Sequence, residues 1–136
     1  MFKEILLMLL LVHILGDFYF QSDKLSKIKD ELFSSVLTHS FIYALSCFIL
    51  IIIITEEWMK GVAFIAAFGH FIIDSIKYIY VKSCKSSNSY SKEKDSIVYA
   101  MDQVIHIFTF VVISLIVTRN YSFINKLSII DEIFRL

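Results

Sequence analysis

Residues 58–81 read WMKGVAFIAAFGHFIIDSIKYIYV, from Trp58 to Val81. A bilayer's hydrocarbon core, about 30 Å thick, takes roughly 20 residues of helix to cross, and this stretch meets that length without a proline or a polar run to end it. Within it stand His70 and Asp74, one turn apart and so on one helical face. An apolar helix with a titratable face reads as one wall of a membrane bundle closed around a polar centre.

The remaining sequence extends that reading. The 136 residues are 57% hydrophobic and 19% charged, with no proline and three glycines, and the mean hydropathy is +0.72. A soluble domain carries roughly a quarter charged residues. Four segments have spanning length: about 5–21, 32–54, 58–81 and 97–118. The expected fold is all-α, an integral membrane four-helix bundle forming a single transmembrane domain over residues 1–136. Residues 22–31 are charged, 55–57 form a very short turn, and 82–96 are rich in Ser and Lys and read as a surface loop. The apolar run after Met1-Phe2-Lys3 leads into His13, Gly16 and Asp17 with no small-residue cleavage site, so it is expected to stay as the first span. In the tail, 120–136, apolar residues recur at Phe123, Leu127, Ile130 and Phe134. That spacing predicts a C-terminal amphipathic helix lying in the interface.

Thirteen basic residues balance thirteen acidic ones, which removes the electrostatic basis for nucleic-acid binding. Lys24, Lys27, Lys29, Lys82, Lys85, Lys92 and Lys94 fall on the side of the first and third connections. Lys3, Lys60, Arg119, Lys126 and Arg135 fall on the other. The excess predicts a multi-pass cell-membrane protein with 22–31 and 82–96 in the cytoplasm. Cys47 and Cys84 match no ligand or disulfide spacing.

Charged side chains are expensive in a span, about 2.5–3.5 kcal/mol for a central Asp on insertion scales. Seven titratable residues nevertheless lie there: His13, Asp17, His39, His70, Asp74, Asp102 and His106, which include every histidine of the chain. His13/Asp17, His70/Asp74 and Asp102/His106 are each four residues apart, and the order reverses on the last span, which runs the other way. All three pairs therefore point alike, with a layer of carboxylates toward the loops and a layer of histidines about 6 Å deeper. His39 reaches a comparable depth on a stripe with Ser35, Tyr43 and Ser46. Gly16 and Gly69 precede Asp17 and His70 and would let helices approach closely. Within the spans the basic residues are Lys60 and Lys77, and Lys77 can compensate one carboxylate. A divalent metal ion supplies the missing charge, since imidazole and carboxylate suit Zn²⁺ above all, and also Mn²⁺ or Fe²⁺. Seven ligands fit one or two ions per chain. Gln21, Lys77 and Gln103, near the carboxylate layer, are candidate substrate-binding groups. The alternatives for the cluster are a proton or ion relay and a hydrogen-bonded network that only holds the helices together.

His13-Ile-Leu-Gly-Asp-Phe-Tyr-Phe-Gln21, the isolated His39, His70-Phe-Ile-Ile-Asp74 and Met101-Asp-Gln-Val-Ile-His106 together resemble the bacterial membrane-protein family catalogued as domain of unknown function 3307. The resemblance covers about Ile5 to Thr118 and implies no activity. Thr38-His39-Ser40 with the His-x-x-x-Asp pairs is similar to pieces of membrane-bound metal-dependent hydrolases. That likeness implies hydrolysis of an ester or phosphoester at the membrane surface, on a lipid or a phosphorylated small molecule. Asp17, Asp74 and Asp102 would be the catalytic carboxylates, one of them a general base. A small ion- or proton-conducting transporter, assembled as a homo-oligomer, and a structural subunit are the competing readings.

Overall fold

The structure, a computed structural model, describes residues 1–21, 31–54, 59–87 and 90–133, without the side chains of 51, 52, 54 and 122–133. Among these residues it is all-helical. Helix α1 is Phe2–Ile14 and continues directly into a π-helical turn, Leu15–Tyr19. Helix α2 is Phe33–Ile54, α3 is Met59–Ser86 and α4 is Lys92–Ile133. Each helix packs on its two neighbours in the cyclic order α1, α2, α3, α4. Helices α3 and α4 run antiparallel, since Lys77 meets Asp102 where His70 meets His106.

Among the described residues, three stretches are long and apolar enough to cross a membrane: Phe33–Leu50 of α2, Met59–Ser86 and Lys92–Tyr121. In the first expected span the α-helix alone is shorter, 13 residues, and a π turn of 5 extends it. Large apolar side chains cover the outside of the bundle: Leu7, Phe41, Ile53, Phe64, Ile79 and Phe108 are each more than 60% exposed. Water would be a poor solvent for such a surface and lipid a good one. Inside, the half of the bundle away from the α3–α4 connection is packed with Leu9, Val12, Tyr43, Cys47, Val62, Ala63, Ala66, Phe110 and Ile113. The small residues of α3 lie in this seam, where they bring backbones together.

Two expectations change. The segment 82–96 is mostly helix: α3 runs on to Ser86 and α4 starts at Lys92. Polar residues do not end a helix whose terminal groups are satisfied, and here the hydroxyls of Ser86 and Ser87 donate to the carbonyls of Ser83 and Cys84. At the start of α4 the Ser91 hydroxyl accepts the Lys94 amide, the N-cap contact that opens a helix. The tail is helical through Ile133 but is not a separate helix, because α4 continues through it without a break. Which side of the tail carries Phe123, Leu127, Ile130 and Phe134 against the membrane lies outside the described side chains. Residues 22–30, with their lysines, and residues 55–58 also lie outside the described residues.

The two glycines expected to bring helices together behave differently. A Cβ on Gly16 would stand 2.5 Å from Cδ2 of Tyr43, whereas one on Gly69 would make ordinary contact with the Thr109 methyl at 3.7 Å. Only Gly16 is needed for a close approach: it lets the Tyr43 ring of α2 lie on the backbone of the π turn. Gly16→Ala should therefore lower stability in detergent by about 1–3 kcal/mol, the range for overpacking. Gly61→Ala, with nothing within 4 Å, should not; equal denaturation midpoints for the two variants would contradict this account.

Candidate metal centre

The fold brings all seven titratable residues into one cluster. Each side chain is at most 5% exposed. His70 of α3 is the middle of the group: the ring centroids of His106, His39 and His13 lie 4.4, 5.2 and 5.6 Å from its own. The expected histidine layer forms between helices, with the ring centroids of His13, His70 and His106 4.4, 5.0 and 5.6 Å apart in pairs, and the carboxylates are not separated from it. Asp17, from the outer layer, reaches the deeper His70, whose Nε2 is 2.8 Å from its Oδ1.

Asp17 owes its position to the π turn. The Phe20 amide donates to the Leu15 carbonyl, five residues back, at 2.8 Å, so the turn is wider than an α-helical one. Three imidazoles from three helices converge on the same Oδ1: His70 Nε2 at 2.8 Å, His39 Nε2 at 3.4 Å and His13 Nδ1 at 3.7 Å. Uninterrupted helices were the sequence expectation. The Gly16-Asp17 step is the one local signal of the change, because a glycine relaxes the turn and admits Tyr43.

Ring tautomers follow from the partners. His106 Nδ1 faces the Asp102 carbonyl at 2.8 Å and must donate, since a carbonyl only accepts. A neutral His106 then presents a bare Nε2, which His70 Nδ1 fills from 2.7 Å as donor. A neutral His70 is left with a bare Nε2 facing the Asp17 carboxylate at 2.8 Å. Two acceptors at that distance repel. The chain Asp17–His70–His106 is consistent only with one more positive charge, a proton or a metal cation.

His13 and His39 favour the metal. Gln103 Oε1 accepts from His13 Nε2 at 3.3 Å, which leaves His13 Nδ1 a bare lone pair, buried and without a hydrogen bond. Neither ring nitrogen of His39 has a hydrogen-bond partner among the described residues, although its Nε2 stands 3.4 Å from both Asp17 Oδ1 and Asp74 Oδ2. Two ligand atoms on one tetrahedral Zn²⁺, bound at 2.0–2.2 Å, are about 3.3–3.6 Å apart. Three overlapping sets could hold an ion: His13, Asp17 and His70; His39, His70 and Asp74; and Asp74, Asp102 and His106.

The candidate substrate-binding residues are placed differently. Lys77 does not point to an open site: its Nζ is 3.3 Å from Asp102 Oδ2 with the lysine side chain 12% exposed. Gln103 positions His13, an outer partner of the kind that fixes ring orientation in metal sites. Gln21 follows the π turn, half-buried, outside the contacts just described. Two residues beyond the expected ligand set wall the cluster. Tyr43 packs edge-on against His70, and Phe110 against His13 with centroids 5.2 Å apart. Tyr43 was legible on the His39 stripe, and Phe110 follows His106 by four residues, the spacing that marks both.

A family model described as protein of unknown function, DUF3307, matches residues 5–132. The chain belongs to this family. No curated protein and no solved structure matches it, so the likeness to metal-dependent hydrolases has no counterpart among the matches. The DUF3307 match covers all seven clustered residues and brings no activity with it.

The Lys77–Asp102 pair can be tested apart from any metal. Removing one member of a buried pair strands the other, typically at about 3–5 kcal/mol. In chelator-treated protein Lys77→Met should lose stability of that order, and Lys77→Met with Asp102→Asn should recover most of it. A double variant no better than the single one would show that the pair is not coupled.

Proposed function

We propose that this DUF3307 chain is an integral membrane metalloprotein, multi-pass in the cell membrane with residues 22–31 and 82–96 toward the cytoplasm. Its four-helix bundle holds a divalent ion, Zn²⁺ by preference, among His13, Asp17, His39, His70 and Asp74. The carrying observation is His39. An imidazole with both nitrogens buried and neither hydrogen-bonded among the described residues, 3.4 Å from two carboxylate oxygens, is costly unless a cation completes it.

The chemistry that best suits this centre is hydrolysis of an ester or phosphoester, on a lipid or a phosphorylated small molecule at the membrane surface. A bound Zn²⁺ would supply a water that ionises near neutral pH and polarise the scissile group. The chain's own residues position and neutralise. Gln103 holds His13 in its tautomer, Lys77 holds Asp102, and the hydrogen bond from His70 Nδ1 to His106 Nε2 turns the His70 Nε2 lone pair toward the ion. All seven side chains are closed off from solvent, so turnover requires the bundle to part on the loop side.

A proton relay is the second reading, favoured by the Asp17–His70–His106 chain. It falls short as a transmembrane path. The chain ends at the Asp102 carbonyl, and the far half is an apolar plug of Leu9, Val12, Val62, Phe110 and Ile113. Ser114, buried in α4 among these residues, donates to the Phe110 carbonyl at 2.7 Å and offers no next step.

Protein purified in detergent without chelator should contain a stoichiometric transition metal by plasma mass spectrometry, and His39→Ala should abolish it. Gln103→Leu, which removes an orienting partner, should weaken affinity about 10- to 100-fold. Wild-type protein that stays empty after exposure to Zn²⁺ or Mn²⁺ would overturn the metal reading. For the reaction, Asp74→Asn should abolish turnover of an ester or phosphoester while leaving the melting temperature nearly unchanged. Turnover that survives the substitution would rule out the assignment.

A further inference from the structure

Of the three overlapping ligand sets, the one formed by Asp74, Asp102 and His106 is different in kind, because it already has a cation beside it. Its three side chains are buried, and their ligand atoms lie within 4.8 Å of one another. The Lys77 ammonium is 3.3 Å from Asp102 Oδ2, while Asp102 Oδ1 is buried without a hydrogen bond and lies 3.7 Å from His106 Nδ1. Asp74 also belongs to the set with His39 and His70, so one carboxylate joins two neighbouring cation positions. A carboxylate in that place is the usual bridge of two-metal sites, whose ions stand about 3.5–4 Å apart.

We propose that the Asp74 and Asp102 carboxylates, beside His106, form a second cation subsite, and that Lys77 is its built-in occupant, which keeps the centre at one metal ion. The proposal rests on the metal reading above. Lysine suits this role physically. Its ammonium is a compact point charge on a flexible four-carbon stem, so it can enter from α3, one turn beyond Asp74, and withdraw along the same face. The Tyr99 ring, 5.7 Å from Nζ, offers a cation–π resting place at the rim. One positive charge at Asp102 leaves Asp17 and Asp74 to match the two charges of a single divalent ion. Removing the lysine charge makes the second subsite anionic, and a second divalent ion replaces it.

Metal per chain and Mn²⁺ electron paramagnetic resonance read this out directly. Wild type and Lys77→Arg should each bind one Mn²⁺ tightly. Lys77→Met and Lys77→Gln should bind two, with the exchange-coupled spectrum of neighbouring ions and at least a tenfold gain in affinity for the second. Lys77→Met with Asp102→Asn should return to one. A count of one in both neutral variants, or of two tightly bound ions in wild type, overturns the proposal. A wild type that binds none fails the metal reading instead. Should the neutral variants not fold, wild type titrated with excess Mn²⁺ should show a weak coupled second ion that Asp102→Asn removes, and no such ion refutes the subsite.

Discussion

A carboxylate taken out of water must be met by donors or cations, and in this molecule the Asp17 carboxylate sets the terms for everything around it. Its Oδ1 draws His13, His39 and His70 from three helices to within 3.7 Å. No single helix can satisfy such a group, so the bundle has to close for the charge to be tolerable at all. The π turn presents the carboxylate, Gly16 lets Tyr43 lie against that turn, and Tyr43 in turn backs His70. Packing and electrostatics are thus one constraint here, because the residue that lets two helices touch also aims the charge.

The polar centre and the apolar half divide the bundle. Toward the α3–α4 connection lie the titratable groups, Lys77 and the extended helix ends; away from it lie Leu9, Val12, Phe110 and Ile113. A ligand centre with a sealed floor suits bound chemistry more than passage. The hydrogen-bond chain through His70 and His106 follows the same division, since it starts and ends within the cluster. A charge deficit at the His70–Asp17 contact and two idle nitrogens on His39 both call for a cation, and they arise on different helices.

Much of the fold was legible in the sequence for a simple reason. Long apolar runs without proline have few ways to satisfy their backbone in lipid other than as helices, and the segments now seen as α2, α3 and the apolar part of α4 could be marked directly. The polar ends were less legible. Residues 82–86 and 92–96 look like loop by composition, yet helix continues wherever its terminal groups find partners, as Ser86, Ser87 and Ser91 show. The continuity of α4 into its amphipathic tail was likewise hidden, because periodicity gives a face but not the presence or absence of a bend.

By itself the sequence determined the helical class, the seven titratable residues and their convergence, because a four-residue spacing on a helix leaves a side chain little choice of face. Tertiary structure alone decided which of them meet. Asp17 lies against His70, Lys77 pairs with Asp102 among the carboxylates, and Gln103 orients His13. Those pairings depend on the stagger between helices and on one π turn, and both are set by contacts between segments far apart in the chain, such as Tyr43 on Gly16. Periodicity within one helix carries no information about them.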